Sequence, residues 1–348
     1  MDLAPPYDAI VLVSFGGPER RDDVMPFLEN VTRGRGVPHA RLLEVAEHYF
    51  HFDGISPINA QNRALLAALR ALLDARGPAL PLYWGNRNWH PYLADTVARM
   101  ADAGIRRALA FVTSAFASHS SCRQYLDDVA RARAEVGARA PLIDKLRLYW
   151  DHPGFIEPMV EHAEAALAAL PADARPGAHL AFVAHSLPRA MAETSDYVAE
   201  LEEASGLVAA RLRSRHPWRL VFQSRSGSPA QPWLEPDIGD HLAALRGQGV
   251  TDVVLVPIGF VSDHLEVRWD LDIEAAARAR ALGLRLARAA TVGTHPAFVA
   301  MIRDLVLERT AGAPRLALGR RGPAPDQCAP GCCPASARPT PPRPGPRN

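Results

Sequence analysis

Short apolar runs that end in small or turn residues alternate along this chain with segments whose apolar positions recur at i, i+3, i+4 and i+7. A continuous apolar run suits a strand covered on both faces, and the second pattern is the stripe of an amphipathic helix. Their alternation marks β-α units around a parallel sheet. The runs predict strands over Ala9 to Phe15, Leu80 to Trp84, Arg107 to Thr113, Leu146 to Trp150, His179 to His185, Leu220 to Ser224, Val253 to Phe260 and Leu284 to Ala289. Helices are predicted over Asn59 to Ala75, where Leu65, Leu66, Leu69, Leu72 and Leu73 form the stripe, and over Pro91 to Ala103 and Pro153 to Leu170. Further helices are predicted over Tyr197 to Arg213, His264 to Leu282 and Pro296 to Glu308. The strands divide four and four near residues 155 to 175. The expected fold class is therefore α/β: two similar doubly wound parallel-sheet, Rossmann-like halves, with ligands at the strand carboxyl ends. The expected divisions are residues 1–165, residues 166–312 and a Pro/Cys-rich tail, residues 313–348, whose last residues from Pro341 have nothing to bury. Such a tail is expected to be disordered unless a metal organises it.

Composition narrows the function classes. The chain carries 39 basic and 38 acidic residues, interleaved, so no electrostatic footprint for nucleic acid or an anionic membrane appears. Lys145 is the only lysine, which reads as base composition rather than a site. The N-terminal apolar run Ala9 to Val13 is far shorter than the roughly 20 residues of a membrane span, and a cytoplasmic protein is expected. Four cysteines occur, Cys122, Cys328, Cys332 and Cys333, and their crowding into the tail argues against a secreted disulfide framework.

Polar residues where a buried strand meets its turn are the informative ones, because an open α/β sheet presents functional groups along that edge. His185 closes the apolar run Leu180 to Ala184 and precedes Ser186-Leu187-Pro188. Its two readings are a hydrogen-bonded structural histidine and a catalytic one. The second candidate is Pro257-Ile-Gly-Phe-Val-Ser-Asp-His-Leu-Glu266, again at a strand end. Glu266, Asp270 and Glu274 then follow at i, i+4 and i+8, one face of a helix. A row of like charges costs stability unless it faces water or a cation, and Leu265 and Trp269 indicate that this helix also packs. Gln223-Ser-Arg-Ser-Gly-Ser-Pro is a glycine-containing turn after a strand, but it lacks the Gly-Lys-Ser/Thr ending of a nucleotide loop. Ser14-Phe-Gly-Gly-Pro and Phe52-Asp-Gly-Ile-Ser-Pro-Ile-Asn are turn-rich loops beside aromatics.

Together these segments resemble one family, the ferrochelatases, and within it the actinobacterial coproporphyrin type. The similarity runs from about Tyr7 to Arg309. It passes through Ser14-Phe-Gly-Gly-Pro, Asn30-Val-Thr-Arg-Gly-Arg-Gly, Gly54-Ile-Ser-Pro-Ile, Gly85-Asn-Arg-Asn-Trp-His-Pro, Ser120-Ser-Cys-Arg-Gln-Tyr, the His185 strand end, Gln223-Ser-Arg-Ser-Gly and the Glu266 helix. The resemblance implies a chelatase fold and makes His185 and Glu266 the iron-site pair. It places Ser56 and Tyr125 against the macrocycle, and makes Asp270 and Glu274 an acidic row leading metal or protons to or from the site. Where relatives bear an axial tyrosine this chain has Phe15, so an oxygen ligand from that position is not available. Arg33 and Arg35 are candidates to pair with porphyrin carboxylates. Some ferrochelatases hold a [2Fe-2S] cluster with one cysteine from the body and three from the tail. Cys122, Cys328, Cys332 and Cys333 repeat that division and supply the four thiolates such a cluster takes. The spacing does not match a zinc site.

The implied reaction is insertion of ferrous iron into coproporphyrin III in haem biosynthesis, with release of two pyrrole protons and with downstream haem-pathway enzymes as partners. A near-neutral histidine can accept a pyrrole proton, and imidazole with carboxylate suits ferrous iron. Which of His185 and Glu266 meets the metal first stays open. So do three alternatives: a protoporphyrin IX substrate, a chelatase for cobalt or nickel, and a non-catalytic haem carrier or iron-sulfur sensor.

Overall fold

Every residue of β1 (Ala9–Ser14) is buried, yet alternate side chains enter different cores. Ala9, Val11 and Val13 pack on one side of the sheet, whereas Ile10 and Leu12 join a core on the other side. That division is the period-two geometry of a strand covered on both faces. In the computed structural model, which describes residues 6–225, 231–329 and 331–334, the same rule recurs in β5 (His179–His185). There Leu180, Phe182 and Ala184 share the Ile10 core, and Ala181 and Val183 face away from it. Residues 226–229 of the glycine-containing turn, the N-terminal residues 1–5 and the end of the tail from 335, including the stretch expected to bury nothing, lie outside the described residues.

The other strands are β2 (Leu82–Asn86), β3 (Arg107–Val112), β4 (Leu142–Lys145), β6 (Trp218–Gln223), β7 (Asp252–Val256) and β8 (Arg285–Arg288). They form two four-stranded parallel sheets with one topology, β2-β1-β3-β4 and β6-β5-β7-β8. The helices of the first half are α1 (Val24–Val31), α2 (His39–Phe50), α3 (Ile58–Arg76), α4 (Leu93–Asp102) and α5 (Gln124–Val136). There follow α6 (Pro153–Ala169), α7 (Arg189–Ala192), α8 (Tyr197–Ala209) and α9 (Ile238–Gly247), then α10 (Leu265–Val267), α11 (Ala276–Leu282) and α12 (Pro296–Ala311). No described helix is long and apolar enough to cross a membrane.

The inner faces of both sheets share one core with α3, α6, α8 and α12. Helix α6 spans the division expected at residue 165 and packs on β7, β8 and α8, while α12 packs back on α3 and α6. At the junction the rings of Phe111, Tyr149, Phe155 and Phe298 lie with centroids 5.1–6.5 Å apart. Each such buried side chain contributes about 1.5–3 kcal/mol, so the two halves are coupled through their shared layer.

Two sequence expectations change. The run Leu146 to Trp150 is buried but is not a strand. Leu146 makes one last ladder bond to Ala110, and the chain then leaves the sheet because Arg147 turns into α12, where Nε and Nη2 both meet Glu308 at 2.8 Å. Periodicity alone cannot separate a buried crossing from a buried strand. Parts of the tail expected to be disordered instead contact the body among the described residues. Arg147 donates to the Leu316 carbonyl at 2.8 Å, Leu318 N–H to the Asp151 carbonyl at 2.8 Å, and Arg321 pairs with Asp196 at 2.9 Å.

The Arg147 and Glu308 side chains are 1% and 3% exposed. Arg147→Met therefore leaves a buried carboxylate with, among the described residues, only Arg315, 3.7 Å away, as counter-charge. The expected loss is about 3–5 kcal/mol of stability in urea unfolding, whereas replacing both partners by apolar residues costs far less.

Candidate active site

The carboxyl edge of the second sheet is where the strands deliver their polar ends. At the end of β5 the His185 Nδ1 lies 2.5 Å from the Ser186 carbonyl. A carbonyl can only accept, so Nδ1 carries a proton in either form of the ring, and Nε2 is the nitrogen that gains or gives up the second one. Tyr197 fixes the same residue from behind by donating its hydroxyl to the His185 carbonyl at 3.0 Å. After β7 the chain is drawn across the end of β5, where Gly259 N–H donates to the Val183 carbonyl at 3.0 Å. A Cβ on Gly259 would sit 2.8 Å from the Ala184 backbone, so this crossing needs glycine. It carries Glu266, near the start of α10, to 3.5 Å between Oε2 and His185 Nε2.

The pair is open to solvent on one side, with side-chain exposures of 34% for His185 and 51% for Glu266. Burial pushes the Glu266 carboxyl up, but the hydrogen bond from His185 and the charges of His185 and His264 outweigh it and hold the carboxyl at about 2. Burial lowers the His185 imidazole, and Glu266 overcomes that term, so the imidazole ends above its ordinary value. The result is a permanently anionic carboxylate beside a histidine whose free nitrogen takes and keeps a proton readily.

The acidic row is present, on a different kind of helix from the one expected. The segment Arg268–Ala275, between α10 and α11, is π-helical. Such i→i+5 turns are rare and occur frequently at functional sites. Asp270 receives hydrogen bonds from the Ser224 hydroxyl and, at 3.3 Å, from Gln223, so the end of β6 and the residue after it donate to a carboxylate. Ser224 adopts a left-handed φ of 61° to do so. Burial pushes the Asp270 carboxyl up to about 7 against that hydrogen bond, and the charges of Glu266 and Glu274 add to the rise. Further out, Trp269 donates to Glu274 at 2.8 Å and stacks on His48 of α2, ring centroids 4.0 Å apart. Sequence reasoning gave no role to His48, His264 or Ser224. Their signal is their position beside the row in space.

The first half contributes the opposite wall. Phe15, at the end of β1, is 36% exposed and lies edge-on to Phe27, which meets Tyr49 at 5.9 Å. Tyr49, Phe27 and Leu265 belong to one apolar cluster, so α1 and α2 connect the Phe15 loop to the start of the Glu266 helix. Ser56 is buried against Gly17, where an added Cβ would lie 2.7 Å from the serine Cβ. Tyr125 is buried under Arg87, whose Cζ lies 4.1 Å from the tyrosine ring and 5.9 Å from the Phe15 ring. Arg87 itself pairs with Asp128, and its Nη2 is buried without a hydrogen-bond partner among the described residues. Arg33 is exposed on the loop after α1, and its charge acts on Tyr92. Phe15, Ser56, Tyr125 and Arg87 thus surround one loop.

The four cysteines meet on another face. Cys122 lies in the π-helical segment His119–Arg123, and its thiol is hydrogen-bonded to Cys328, which in turn meets Cys332. The Cys332 and Cys333 sulfurs are 3.5 Å apart. The hydrogen bond from Cys122, with Lys145 and Arg123 nearby, holds the Cys328 thiol down at about 6 despite its burial. Among the described residues, no group of three or more His, Cys, Asp or Glu side chains forms a ready-made metal cage.

The chain is 53% identical to the coproporphyrin III ferrochelatase of Streptomyces griseus, over 95% of this chain and 94% of that one. It is 55% identical to the coproporphyrin III ferrochelatase of Frankia alni, over 98% of this chain and 88% of that one. Among solved structures it is similar to SirB from Bacillus subtilis with Fe3+, with a TM-score of 0.54 at 11% identity, covering 86% of this chain and 96% of that one, a likeness of fold alone. The family profile described as ferrochelatase matches residues 7–310, and by that match and these identities the chain belongs to the ferrochelatase family.

Proposed function

We propose that this protein inserts ferrous iron into coproporphyrin III, with His185 and Glu266 at the point of transfer. The reading is carried by His185 Nε2 facing Glu266 Oε2 at 3.5 Å in a chain more than half identical to coproporphyrin III ferrochelatases over nearly its whole length. A free porphyrin holds two N–H protons, and its flat ring hides the nitrogen lone pairs from a cation. The enzyme gains by binding the bent ring better than the flat one, since only interactions stronger in the transition state accelerate the step. Phe15, Ser56 and Tyr125 are proposed to hold the macrocycle against the wall opposite His185. Arg87 Nη2 and Arg33 offer donors to its carboxylates. His185 Nε2 takes one pyrrole proton, releases it to the acidic row and then takes the second, with Glu266 stabilising the imidazolium each time. Asp270, poised near neutrality, and Glu274 then form a route outward for protons or inward for iron.

The same reading places Cys122, Cys328, Cys332 and Cys333 as holders of a [2Fe-2S] cluster. The support is that Cys122, Cys328, Cys332 and Cys333 act on one another's thiols, with Lys145 and Arg123 nearby and the last two sulfurs 3.5 Å apart, and four thiolates is the number such a cluster takes. Bound there, a cluster would supply a one-electron redox centre and a covalent tie between tail and body. The protein is proposed to act in the cytoplasm and to hand its product to the next haem-pathway enzymes.

Anaerobic insertion assays with coproporphyrin III and protoporphyrin IX, read by absorbance, test the assignment. Turnover with coproporphyrin III preferred is the expected result, and absence of turnover with either porphyrin in a folded sample rejects it. Cys122→Ser is expected to abolish the visible absorbance of the cluster in protein purified anaerobically. Retention of that absorbance would show that Cys122 is not a ligand.

A further inference from the structure

A π-helical turn is intrinsically poorer than an α-helical one, so something tertiary must hold Arg268–Ala275 in that form. The holder stands at the end of β8. The Arg288 guanidinium lies between two carboxylates. Nη1 and Nη2 each meet an Asp263 oxygen at 3.2 Å, while Nε and Nη2 meet the Asp272 oxygens at 2.5 and 3.1 Å. Asp263 precedes Glu266 by three residues, and Asp272 lies between Asp270 and Glu274. The Arg288 side chain is only 20% exposed, and Asp263 is 20% and Asp272 30% exposed, so these pairs are partly shielded from water and salt. Asp263 is further held by the Thr291 hydroxyl at 3.3 Å, and its backbone N–H donates to Gln61 of α3 at 2.9 Å. Asp272 has one other cation near it, Arg268, at 3.9 Å.

We infer that Arg288 is a positioning residue for iron delivery: by clamping Asp263 and Asp272 it sets Glu266 in register with Asp270 and Glu274. The guanidinium touches none of the four groups that meet protons or metal. It fixes the backbone on both sides of Glu266, much as an outer hydrogen-bond partner orients a metal ligand. Without it, two neighbouring anions lose their shared counter-charge, and the turn that aligns the row loses its tether to the sheet. The fork matters as well as the charge, because four contacts to two carboxylates need a planar guanidinium, which a lysine cannot imitate. The inference rests on the acidic row serving metal transfer, as proposed above.

The test is steady-state kinetics with Fe2+ and coproporphyrin III varied separately, on wild type, Arg288→Gln, Arg288→Lys and Glu274→Gln, with Co2+ titration as a binding readout. Arg288→Gln is expected to raise the KM for Fe2+ about tenfold and weaken Co2+ binding similarly, the size seen when an outer partner of a ligand is removed. The KM for coproporphyrin III should stay within about twofold, since no uniform binding of the ring is lost. Arg288→Lys is expected to fold and to show the same selective defect, and it replaces the glutamine variant if that one does not fold. Two results would overturn the clamp: an unchanged Fe2+ KM in Arg288→Gln and Arg288→Lys while Glu274→Gln raises it, or a parallel rise of both KM values with a fall in Tm. If Glu274→Gln leaves the Fe2+ KM and Co2+ binding unchanged, the acidic row itself is rejected as the route, and the clamp's role in delivery with it.

Discussion

His185→Ala is expected to lower kcat for iron insertion by roughly 10²–10⁴-fold, the range spanned by loss of a positioned proton acceptor. The expectation follows from the ring's two contacts. Ser186 holds Nδ1, so Nε2 alone is free to receive the pyrrole proton, and the structure sets Glu266 where it stabilises the protonated form. An alanine removes the proposed proton acceptor and imidazole donor. The proposed porphyrin wall of Phe15, Ser56 and Tyr125 is untouched, so the KM for the porphyrin should change little. The His185 side chain is 34% exposed, so Tm should fall only slightly. Anaerobic single-turnover absorbance separates the cases. A variant that retains wild-type kcat would move the proton acceptor elsewhere, with His264, whose charge acts on Glu266, the next candidate.

Glu266→Gln has the second large effect, and its pH dependence carries the sign. In the wild type the carboxylate lifts the His185 imidazole above its ordinary value despite burial. With glutamine both Glu266 contributions are lost and only the Ser186 hydrogen bond and the Asp270 charge still oppose burial, so the imidazole falls from its wild-type value. Proton acceptance needs neutral His185, and activity therefore rises with pH through the histidine's pKa. The acid limb of the kcat profile is expected to move to lower pH in Glu266→Gln. The plateau should fall by roughly 10²-fold or more, because the imidazolium and the entering cation both lose their counter-charge. Glu266 itself, held at about 2, stays ionised across the working range and contributes no limb of its own. An acid limb that stays in place in this variant would show that His185 is not the titrating base.

The candidate site was legible in the sequence to the extent that its residues sat at strand ends. His185 closes an apolar run and Glu266 follows another, and the same physical rule that buries a parallel strand on both faces exposes what comes after it. The eight-strand plan and its four-and-four division came from that alternation, because a continuous apolar run and a 3.6-residue stripe survive as patterns in one dimension. Where a buried segment was not a strand, as at Leu146 to Trp150, the pattern misled, since burial and sheet pairing look alike in composition. Helix α2 went unread because only Leu42, Ala46 and Tyr49 are buried on it, too thin a stripe to stand out.

Tertiary structure alone decided how the pieces meet. The row Glu266, Asp270 and Glu274 reads in sequence as one face of an α-helix, but the π-helical segment depends on contacts from elsewhere. Arg288 lies 16 residues from Asp272 and 25 from Asp263, and the bridging guanidinium has no local signature. The gathering of Cys122 with the tail cysteines, the placing of Arg87 under Phe15 and over Tyr125, and the stacking of His48 on Trp269 are likewise long-range events. Local propensity and periodicity act over a turn or a strand, and they set which segments become elements. The distances between side chains on different elements come from packing, which only the folded chain specifies.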